Sequence, residues 1–461
     1  MKVLFASAEF APLVRVGGLA EAASGLAHQL ESDGVDIEVV IPDYFDTPLT
    51  GETTVALDVP GWAGPALARS GVAGNTGSVT LVSVPGIKRP NPYVDGDGTG
   101  WPDNADRFFS FSAAVAALAD LRSPDVVHCN DWHTALTLGF LSEQMPTVYT
   151  IHTLGYQGWT SGGWLDRIPH RGEAFEHHGG TNPVAGAVAL ADRVVAVSPN
   201  YADEIRRPEG GSGLHEELTA LGDRLVGIRN GIDTAVWNPS TDTDIAANFT
   251  ADATAGKVAC RQKLLNAVGW TDTGVPIVGV VSRLVEQKGI DVLLDTVRYA
   301  DLMPFRLVIL GSGERWLADY ARHLAGELPE TVAFHDGYDV AFGHEIFAGA
   351  DLLAMPSRFE PCGLAQMQAM EYGTIPVATA VGGLVDTVID ADEKPDIGNG
   401  FVSRSVDAAG FVDALHRAVR GWSDPQLRSA IQLRGMTTDW SWKTPARHHL
   451  DLYEDIADRR S

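Results

Sequence analysis

The chain has 461 residues, of which 45% are hydrophobic and 20% charged, and its formal net charge is −26. This length exceeds what one hydrophobic core usually supports, so it predicts two domains or more. The acidity argues against nucleic acid or an anionic membrane as a partner, and no apolar run reaches the ~20 residues that a membrane span needs.

The first half alternates predicted strands with predicted helices. Residues 19–32 predict an amphipathic helix with Leu19, Ala23, Leu26 and Leu30 on one face, ending before a glycine. Residues 50–105 are rich in Gly, Pro and Thr and predict one or two β-hairpins with a surface loop. The other predicted strands of this half are residues 2–7, 35–41, 125–129, 147–151 and 193–198.

A second alternation begins after a Thr/Asp/Ala-rich linker at residues 239–256. Its strands are continuous runs of Val, Ile and Leu, which indicates a parallel sheet buried on both faces. They are predicted near 277–281, 306–310, 331–335, 351–355, 375–378 and 400–403, and a last helix is predicted over 442–457. The expected fold class is therefore α/β, with two doubly wound lobes facing across a cleft. The expected domains are 1–240, 241–440 and a C-terminal segment 441–461.

The stretch from residue 356 to residue 387 has the clearest pattern. It holds two strand–loop–helix units in tandem, with Glu360 in the first loop and Gly382-Gly383 in the second. Open α/β sheets bind ligands at the carboxyl ends of parallel strands. A carboxylate can hold sugar hydroxyls, and backbone N–H groups at a helix start can hold phosphate. The pairing therefore predicts a site for a sugar phosphate or a sugar nucleotide.

Cations are expected at two further loops. Arg15-Val-Gly17-Gly18 joins the first strand to the first helix, although a glycine pair there can also serve only the turn. Arg283 and Lys288 follow the first strand of the second half and suit a leaving diphosphate, although a solvated surface pair is the alternative. An acidic chain needs such local cations to bind an anion.

Polar side chains also follow strands of the first half. Asp131 can hydrogen-bond an acceptor hydroxyl, Trp132 can pack against a sugar, and His152 can place a polar edge beside an anomeric carbon. The alternative for a histidine at a strand end is a structural hydrogen bond. The three cysteines are far apart and predict no disulfide framework or metal site, and a reducing cytoplasm is the expected location. Cys362 has no base nearby in the sequence, which favours a buried thiol over a nucleophile.

Together these motifs resemble the bacterial glycogen synthase and plant starch synthase family of glycosyltransferases, across nearly the whole chain. The resemblance implies the GT-B architecture of two Rossmann-like lobes. The motifs that carry it are Gly17-Gly-Leu19, Asn130-Asp-Trp-His133, Thr150-Ile-His152 with Tyr156-Gln-Gly158, Asn230-Gly-Ile-Asp233, Ser282-Arg-Leu284 with Gln287-Lys-Gly289, Pro356-Ser-Arg-Phe-Glu-Pro-Cys-Gly-Leu364 and Gly382-Gly-Leu384.

The resemblance also implies roles for single residues. Arg283 and Lys288 would neutralise the distal phosphate of the donor, Glu360 would hold hydroxyls of its glucose, and Tyr338 would stack on adenine. His152 would face the anomeric centre, and Asp131 would lie on the acceptor side. The other implied substrate-binding residues are Arg15, Gly17, Gly18, Cys362, Gly363, Gly382 and Gly383. The family needs no bound metal or cofactor, and it transfers glucose with retention of the α configuration.

The chain departs from the family pattern in three places. Arg15 stands where the family's loop usually has Lys, which replaces a point charge by a planar fork. The segment 158–182 is unlike the common pattern, and Ala185 stands where a Lys is usual. Gln368 replaces a common aromatic residue. These departures bear on the acceptor and the nucleotide more than on the fold.

The sequence therefore predicts an enzyme that extends an α-1,4-glucan from ADP-glucose, or from another nucleotide-glucose, and releases the nucleoside diphosphate. One alternative is a related GT-B transferase that uses another nucleotide or a small acceptor such as a sugar phosphate, and the unusual segment 158–185 favours it. The second alternative is a glucan-binding paralogue without turnover, and the presence of Arg283, Lys288 and Glu360 argues against it.

Overall fold

A computed structural model describes residues 1–74, 76–169, 171–300 and 302–459. The strands are β1 (Lys2–Ala6), β2 (Asp36–Pro42), β3 (Thr50–Leu57), β4 (Ala66–Val72), β5 (Ser78–Ser83), β6 (Val126–Asn130), β7 (Thr147–Ile151), β8 (Thr160–Ser161), β9 (Glu176–His177), β10 (Gly180–Thr181), β11 (Arg193–Ala196), β12 (Leu225–Gly227), β13 (Ile277–Val281), β14 (Arg306–Gly311), β15 (Val332–Asp336), β16 (Leu352–Met355), β17 (Ile375–Thr379) and β18 (Phe401–Ser403).

The α-helices are α1 (Gly18–Ser32), α2 (Asn104–Arg122), α3 (Trp132–Ala135), α4 (Pro183–Leu190), α5 (Pro199–Glu204), α6 (His215–Ala220), α7 (Ala255–Ala267), α8 (Ile290–Thr296), α9 (Arg315–Glu327), α10 (Val340–Gly349), α11 (Ala365–Glu371), α12 (Gly383–Thr387), α13 (Ala408–Ser423), α14 (Pro425–Thr437) and α15 (Lys443–Asp458). Among the described helices, none combines the length and the apolar character needed to span a membrane.

The chain divides into two compact units. The first comprises Met1–Gly231 and the C-terminal segment that begins at Trp442, and the second comprises Ile232–Ser441. The boundary after Gly231 differs from the predicted one at residue 240. The physical reason is Trp237, whose ring stacks on His344 of α10 at 4.2 Å and so ties the Trp237-Asn-Pro239 motif to the second unit.

The first unit is built on a nine-stranded sheet in the order β12-β11-β7-β6-β1-β2-β5-β4-β3. The strands from β12 to β5 are parallel, and β5, β4 and β3 form an antiparallel meander, in agreement with the hairpins predicted between residues 50 and 105. The order reverses between β1 and β6. Such a reversal opens a crevice at the carboxyl ends of the strands, and ligands bind there in open α/β sheets.

The second unit contains a six-stranded parallel sheet in the order β15-β14-β13-β16-β17-β18. Its strands begin and end within a residue or two of the predicted ones. In the central strands β13, β14, β16 and β17, runs of apolar residues bury both faces. The reversal here lies between β13 and β16. Both units therefore have the doubly wound α/β architecture, and the predicted fold class is confirmed.

The C-terminal helix α15 belongs to the first unit, where it packs against α1. The Nδ1 of His128 in β6 and the hydroxyl of Tyr453 in α15 form a hydrogen bond of 2.6 Å inside the core. At Gly25 in α1 an added Cβ would lie 2.0 Å from Nε1 of Trp442, which is buried. Glycine is thus required at residue 25 because the start of the C-terminal segment lies directly on α1.

We expect Gly25→Ala to lower the free energy of unfolding of the first unit by about 1–3 kcal/mol, because the new methyl group displaces Trp442. Gly18→Ala in the same helix is the matched control, since a Cβ there meets no atom within 4 Å. It is expected to be neutral or to stabilise by at most about 1 kcal/mol. Urea denaturation of both variants measures the difference, and equal stabilities would contradict this account of the α1–α15 contact.

Candidate active site

In the second unit, three loops meet at the carboxyl ends of β13, β16 and β17. The loop 282–289 follows β13, the loop 356–364 follows β16, and the loop 380–383 follows β17. These parallel strands are neighbours in the sheet. The first two loops lie on either side of the point where the strand order reverses, which is where a ligand site is expected.

Glu360 and Lys288 form an ion pair where these loops meet. Glu360 is buried, with 5% of its surface exposed, and the hydroxyl of Ser357 donates to its carboxylate at 3.1 Å. The Lys288 side chain is 20% exposed. The carboxylate and the cation that the sequence predicts are therefore in direct contact. A negatively charged ligand group can replace Glu360 as the partner of Lys288, and a positively charged one can replace Lys288 as the partner of Glu360.

Arg283 differs from most arginines of the second unit. Its side chain is exposed, and it makes no ion pair with another described residue. By contrast Arg358 binds the carboxylate of Asp291 through both guanidinium nitrogens, at 2.8 and 2.6 Å. These hydrogen bonds from Arg358 lower the pKa of Asp291. Arg283 thus provides a positive charge, in the same loop as Lys288, that no ion pair with a described residue compensates.

The loops of Lys288 and Glu360 are also joined through their backbones. The Arg358 N–H donates to the Gln287 carbonyl at 2.8 Å, and the Gln287 side-chain amide donates to the Phe359 carbonyl at 3.1 Å. At Gly289, where φ is +62°, an added Cβ would lie 1.9 Å from the Pro356 carbonyl oxygen. These contacts hold the two loops, and therefore their charged side chains, at a fixed separation.

The third loop packs directly on the backbone of Glu360. The Gly383 N–H donates to the Glu360 carbonyl at 2.9 Å, and an added Cβ at Gly382 would lie 1.9 Å from that oxygen. From the sequence, the N–H groups of this glycine pair are expected to bind a ligand. In the structure the Gly383 N–H is bound within the protein, because the close approach of the two loops consumes it.

Cys362, Gly363 and Tyr338 complete the second unit's predicted residues. Cys362 is buried, and the side-chain amide of Gln366 donates to the carbonyls of Cys362 and Gly363 at 3.1 and 3.0 Å. Gly363 has φ +74°, so a residue with a side chain would be strained there. Tyr338 lies in the loop after β15 and is 74% exposed. Its ring is open to a ligand, whereas the Cys362–Gly363 turn contributes shape.

In the first unit, the loop that holds Arg15 is organised by Glu9, which was not among the predicted site residues. Its buried carboxylate accepts hydrogen bonds from the N–H groups of Val16 and Gly17, at 2.7 and 2.8 Å, and from the Tyr93 hydroxyl at 2.8 Å. Burial and the neighbouring Glu9 charge raise the pKa of Tyr93. An acidic residue in the loop that follows a buried strand was the signal that could have identified Glu9.

Gly17 and Gly18 have a different character from Gly382 and Gly383. Neither has a positive φ, and an added Cβ at either meets no protein atom within 4 Å. Neither backbone conformation nor packing within the described residues therefore requires glycine here. The space above them is left open at the start of α1, a 15-residue helix whose N-terminal dipole favours an anion.

Asp131 and His152 are brought together at the ends of β6 and β7. The Asp131 carboxylate accepts from the backbone N–H of His152 at 2.7 Å. The backbone of Asp131 has φ +54° and ψ −179°, a conformation that non-glycine residues rarely adopt and that is concentrated at functional sites. Burial raises the pKa of Asp131 to about 7 and lowers that of His152 to about 3. Burial therefore shifts both side chains toward their neutral forms.

The segment 158–182, which departs from the family pattern, forms the small antiparallel sheet β8-β10-β9. Its first residue, Gly158, has φ +66°, and an added Cβ would lie 2.2 Å from the ring of Trp132. Tyr156 and Trp159 on either side are 63% and 57% exposed. The segment therefore packs on the residue that follows Asp131, which places its variation beside the candidate acceptor residues.

One grouping among the described residues has donor atoms suited to a metal, namely Asp242, Asp244 and His344. His344 Nδ1 lies 2.6 Å from an oxygen of the Asp242 carboxylate, and the Tyr372 hydroxyl donates to the same oxygen. These hydrogen bonds join the linker to α10 and α11. The grouping is accounted for by this structural network and lies outside the loops that carry the predicted site residues.

Comparison with known proteins gives consistent matches along the chain. Residues 2–220 match the family described as starch synthase catalytic domain, and residues 266–432 match glycosyl transferases group 1. Glycogen synthases from Halorhodospira halophila and Alkalilimnicola ehrlichii are each 39% identical to this chain, with 100% and 99% of both sequences covered.

Two solved structures extend this comparison. The catalytic domain of starch synthase IV from Arabidopsis thaliana, solved with ADP and acarbose bound, has a TM-score of 0.88 at 30% identity, and 99% of each chain is covered. A sucrose-phosphate synthase from Thermosynechococcus elongatus has a TM-score of 0.64 at 19% identity, also over 99% of each chain. The second likeness concerns the fold alone.

The raised pKa of Asp131 predicts a pH-dependent effect of Asp131→Asn on stability. In the unfolded chain this carboxyl ionises near its ordinary pKa of about 3.9, whereas in the folded protein it stays protonated up to about pH 7. Wild-type stability is therefore lost between these values as the pH rises, and the uncharged amide side chain of the variant avoids that loss. We expect the variant to gain up to about 4 kcal/mol relative to wild type between pH 4 and pH 8.

Urea denaturation at pH 4, 5, 6, 7 and 8 measures this difference. The exposed carboxylate of Asp120 is the control, because it is solvated in the folded and unfolded states alike. Asp120→Asn is expected to give a nearly constant difference from wild type. A constant difference for Asp131→Asn as well would contradict the assignment.

Proposed function

The chain belongs to the glycogen synthase and starch synthase family of glycosyltransferases, and we propose that it transfers glucose from ADP-glucose to the non-reducing end of an α-1,4-glucan. As a member it is a glucosyltransferase that extends a glucan. The choice of ADP-glucose as donor, the retention of the α configuration and the roles of single residues are the proposal. The observation that carries it is the contact between Lys288 and the buried Glu360 carboxylate.

The donor is assigned to the second unit. Lys288 and Arg283 meet the diphosphate, and the charge of these cations stabilises the negative charge that develops as the bond to glucose breaks. When the diphosphate forms an ion pair with Lys288, the Glu360 carboxylate is released to accept hydrogen bonds from glucose hydroxyls. Arg358 and Gln287 join the two loops through hydrogen bonds that do not involve the ion pair. The loops therefore keep their positions when Lys288 and Glu360 exchange partners.

The exposed ring of Tyr338 is assigned to the nucleotide base, where an aromatic face favours stacking. The ADP bound to the Arabidopsis thaliana relative supports adenine as that base. Arg15 and the open space above Gly17 and Gly18 serve the phosphate end of the donor. Gly382 and Gly363 support the proposal indirectly, since they set the shape of the loop around Glu360.

Asp131 and His152 act on the reacting end in this proposal. The Asp131 carboxylate holds the backbone N–H of His152, which fixes the carbonyl and ring of that residue at the end of β7. A neutral histidine can accept a hydrogen bond from a sugar hydroxyl without repelling the positive charge of an oxocarbenium-like transition state. Positioning of this kind supplies a large part of the rate in enzymes that do not need covalent chemistry from the protein.

The test of the donor is nucleoside diphosphate release from the purified protein with ADP-glucose or UDP-glucose, each with and without glycogen. Release that requires both ADP-glucose and glycogen is the expected result. Preference for UDP-glucose, or release only with a small acceptor such as a sugar phosphate, would move the function to a related transferase. Glycogen binding with no release from either donor would indicate a non-catalytic glucan-binding protein.

We expect Lys288→Met and Glu360→Gln each to lower kcat by roughly 100-fold or more at saturating donor, because each removes a charge that meets the reacting sugar nucleotide. Lys263→Met is the matched control, since Lys263 pairs with Glu345 at 3.0 Å on α7 and α10, away from the Lys288 and Glu360 loops. It should stay within about twofold of wild type. Wild-type turnover in both site variants would refute the assignment of the donor site.

Gly18→Ala separates ligand binding from folding. The new methyl group meets no protein atom, so the fold is expected to be retained, but it enters the space assigned to the donor phosphates. We expect KM for the donor to rise by about tenfold, as for loss of one hydrogen bond or a small steric clash. Donor titration of the initial rate measures this, and an unchanged KM would show that the glycine serves no ligand.

A further inference from the structure

The ring of His152 makes one hydrogen bond to another described residue. Its Nε2 lies 2.9 Å from Oδ1 of Asn130, the last residue of β6. His152 is mostly buried, and its other ring nitrogen, Nδ1, makes no hydrogen bond to a residue that the structure describes. The hydrogen bond to Asn130 therefore decides which nitrogen carries the ring proton.

The orientation of the Asn130 amide is itself fixed by chemistry. Its Nδ2 donates to the carbonyl oxygen of Ala6 at 3.0 Å, and a carbonyl oxygen can only accept. The NH2 group must face Ala6, so the amide oxygen must face His152. Asn130 is 1% exposed, so turning the amide would leave two buried groups without partners.

An amide oxygen is an acceptor, so Nε2 of His152 must be the protonated nitrogen. Burial, with a further contribution from His449, lowers the pKa of the ring to about 3, so it carries one proton at neutral pH. That proton is on Nε2, and Nδ1 keeps its lone pair. The tautomer follows from Ala6 on β1, Asn130 on the adjacent strand β6, and His152, which directly follows the next strand, β7.

The surrounding titratable groups do not compete for this ring. The Asp131 carboxylate binds the backbone of His152 at its N–H, not the imidazole. His152 and His449 of α15 line one small cavity of about 10 Å³. The Nδ1 of His449 is, however, hydrogen-bonded to the Pro445 carbonyl at 2.9 Å. His128 is bound by Thr150 and Tyr453.

We propose that Asn130 is a positioning residue that holds His152 as the neutral Nε2–H tautomer and so presents Nδ1 as an acceptor for a hydroxyl of the transferred sugar. The assignment of this hydroxyl to the transferred sugar rests on the proposed function. The tautomer does not, because it is set within the first unit before any substrate binds.

The tautomer can be measured directly by ¹⁵N NMR of the full-length protein labelled at histidine. The His152→Asn variant identifies the His152 signals by their loss. We expect one protonated and one unprotonated ring nitrogen, with the proton on Nε2, from pH 5 to pH 8. A proton on Nδ1, or a cationic ring in this range, would overturn the proposal.

Two substitutions of Asn130 separate tautomer control from packing. Asn130→Leu removes the acceptor, so the ring signals should shift toward the other tautomer and kcat should fall about tenfold, the worth of one neutral hydrogen bond. Asn130→Asp keeps an acceptor but adds a negative charge, which raises the pKa of His152 toward the ordinary value of about 6.5. This variant should therefore lose activity below that pH and recover it above. The pH profile of the wild-type enzyme should lack this change.

Tyr453→Phe is the matched control, since it removes a buried hydrogen bond of the same kind from the neighbouring His128. It should alter the signals of His128 and leave those of His152 and the pH profile unchanged. Loss of activity in the Asn130 variants with unaltered His152 signals would overturn the proposal, because Asn130 would then act on the fold alone. The expected signals, combined with full turnover in His152→Asn, would uphold tautomer control and instead refute the assignment of His152 to the reacting sugar.

Discussion

One buried carboxylate, that of Glu360, lies where the three site loops of the second unit meet. A carboxylate with 5% of its surface exposed is unfavourable unless it is paired, and here Lys288 and Ser357 provide the pairing. Its backbone is equally constrained, because its carbonyl accepts from Gly383. The side chain thus joins the loops after β13 and β16, and the main chain joins the loops after β16 and β17. Glu360 thus contacts three loops of different origin in the sequence, two of which Arg358 and Gln287 also join.

The first unit uses the same device twice with different partners. Glu9 follows β1 and Asp131 follows β6, the two strands at which the order of that sheet reverses. Instead of a lysine, each carboxylate accepts backbone N–H groups of a loop, those of Val16 and Gly17 for Glu9 and that of His152 for Asp131. Backbone donors carry no net charge. Burial consequently dominates at Asp131 and raises its pKa, and the strained backbone of this residue is retained where the loop geometry demands it.

The sequence was sufficient for most strands of the two large sheets, because continuous apolar runs are local signals. It did not predict the small sheet β8-β10-β9 or the edge strand β12. It was also sufficient to bring Lys288 and Glu360 to one edge of a sheet, since both follow parallel strands. The sequence could not show which acceptor each backbone N–H group binds. Gly17 and Gly383 both looked like ligand donors, yet Glu9 and the Glu360 carbonyl bind them, through contacts that only the folded chain creates. The boundary at Gly231 was missed for the same reason, because the stacking of Trp237 on His344 joins residues far apart in sequence.

A net charge of −26 and an anionic donor are compatible because charge acts locally in salt solution. The Debye length is about 8–10 Å, so acidic groups beyond that distance are largely screened. Within it, pairing matters more than composition. Arg261, Arg358 and Arg417 of the second unit are each bound to carboxylates and contribute little attraction for a phosphate. Arg283 lacks such a pair among the described residues, and Lys288 has one that a ligand can replace. The few uncompensated cations, rather than the sign of the whole surface, therefore determine where an anion binds.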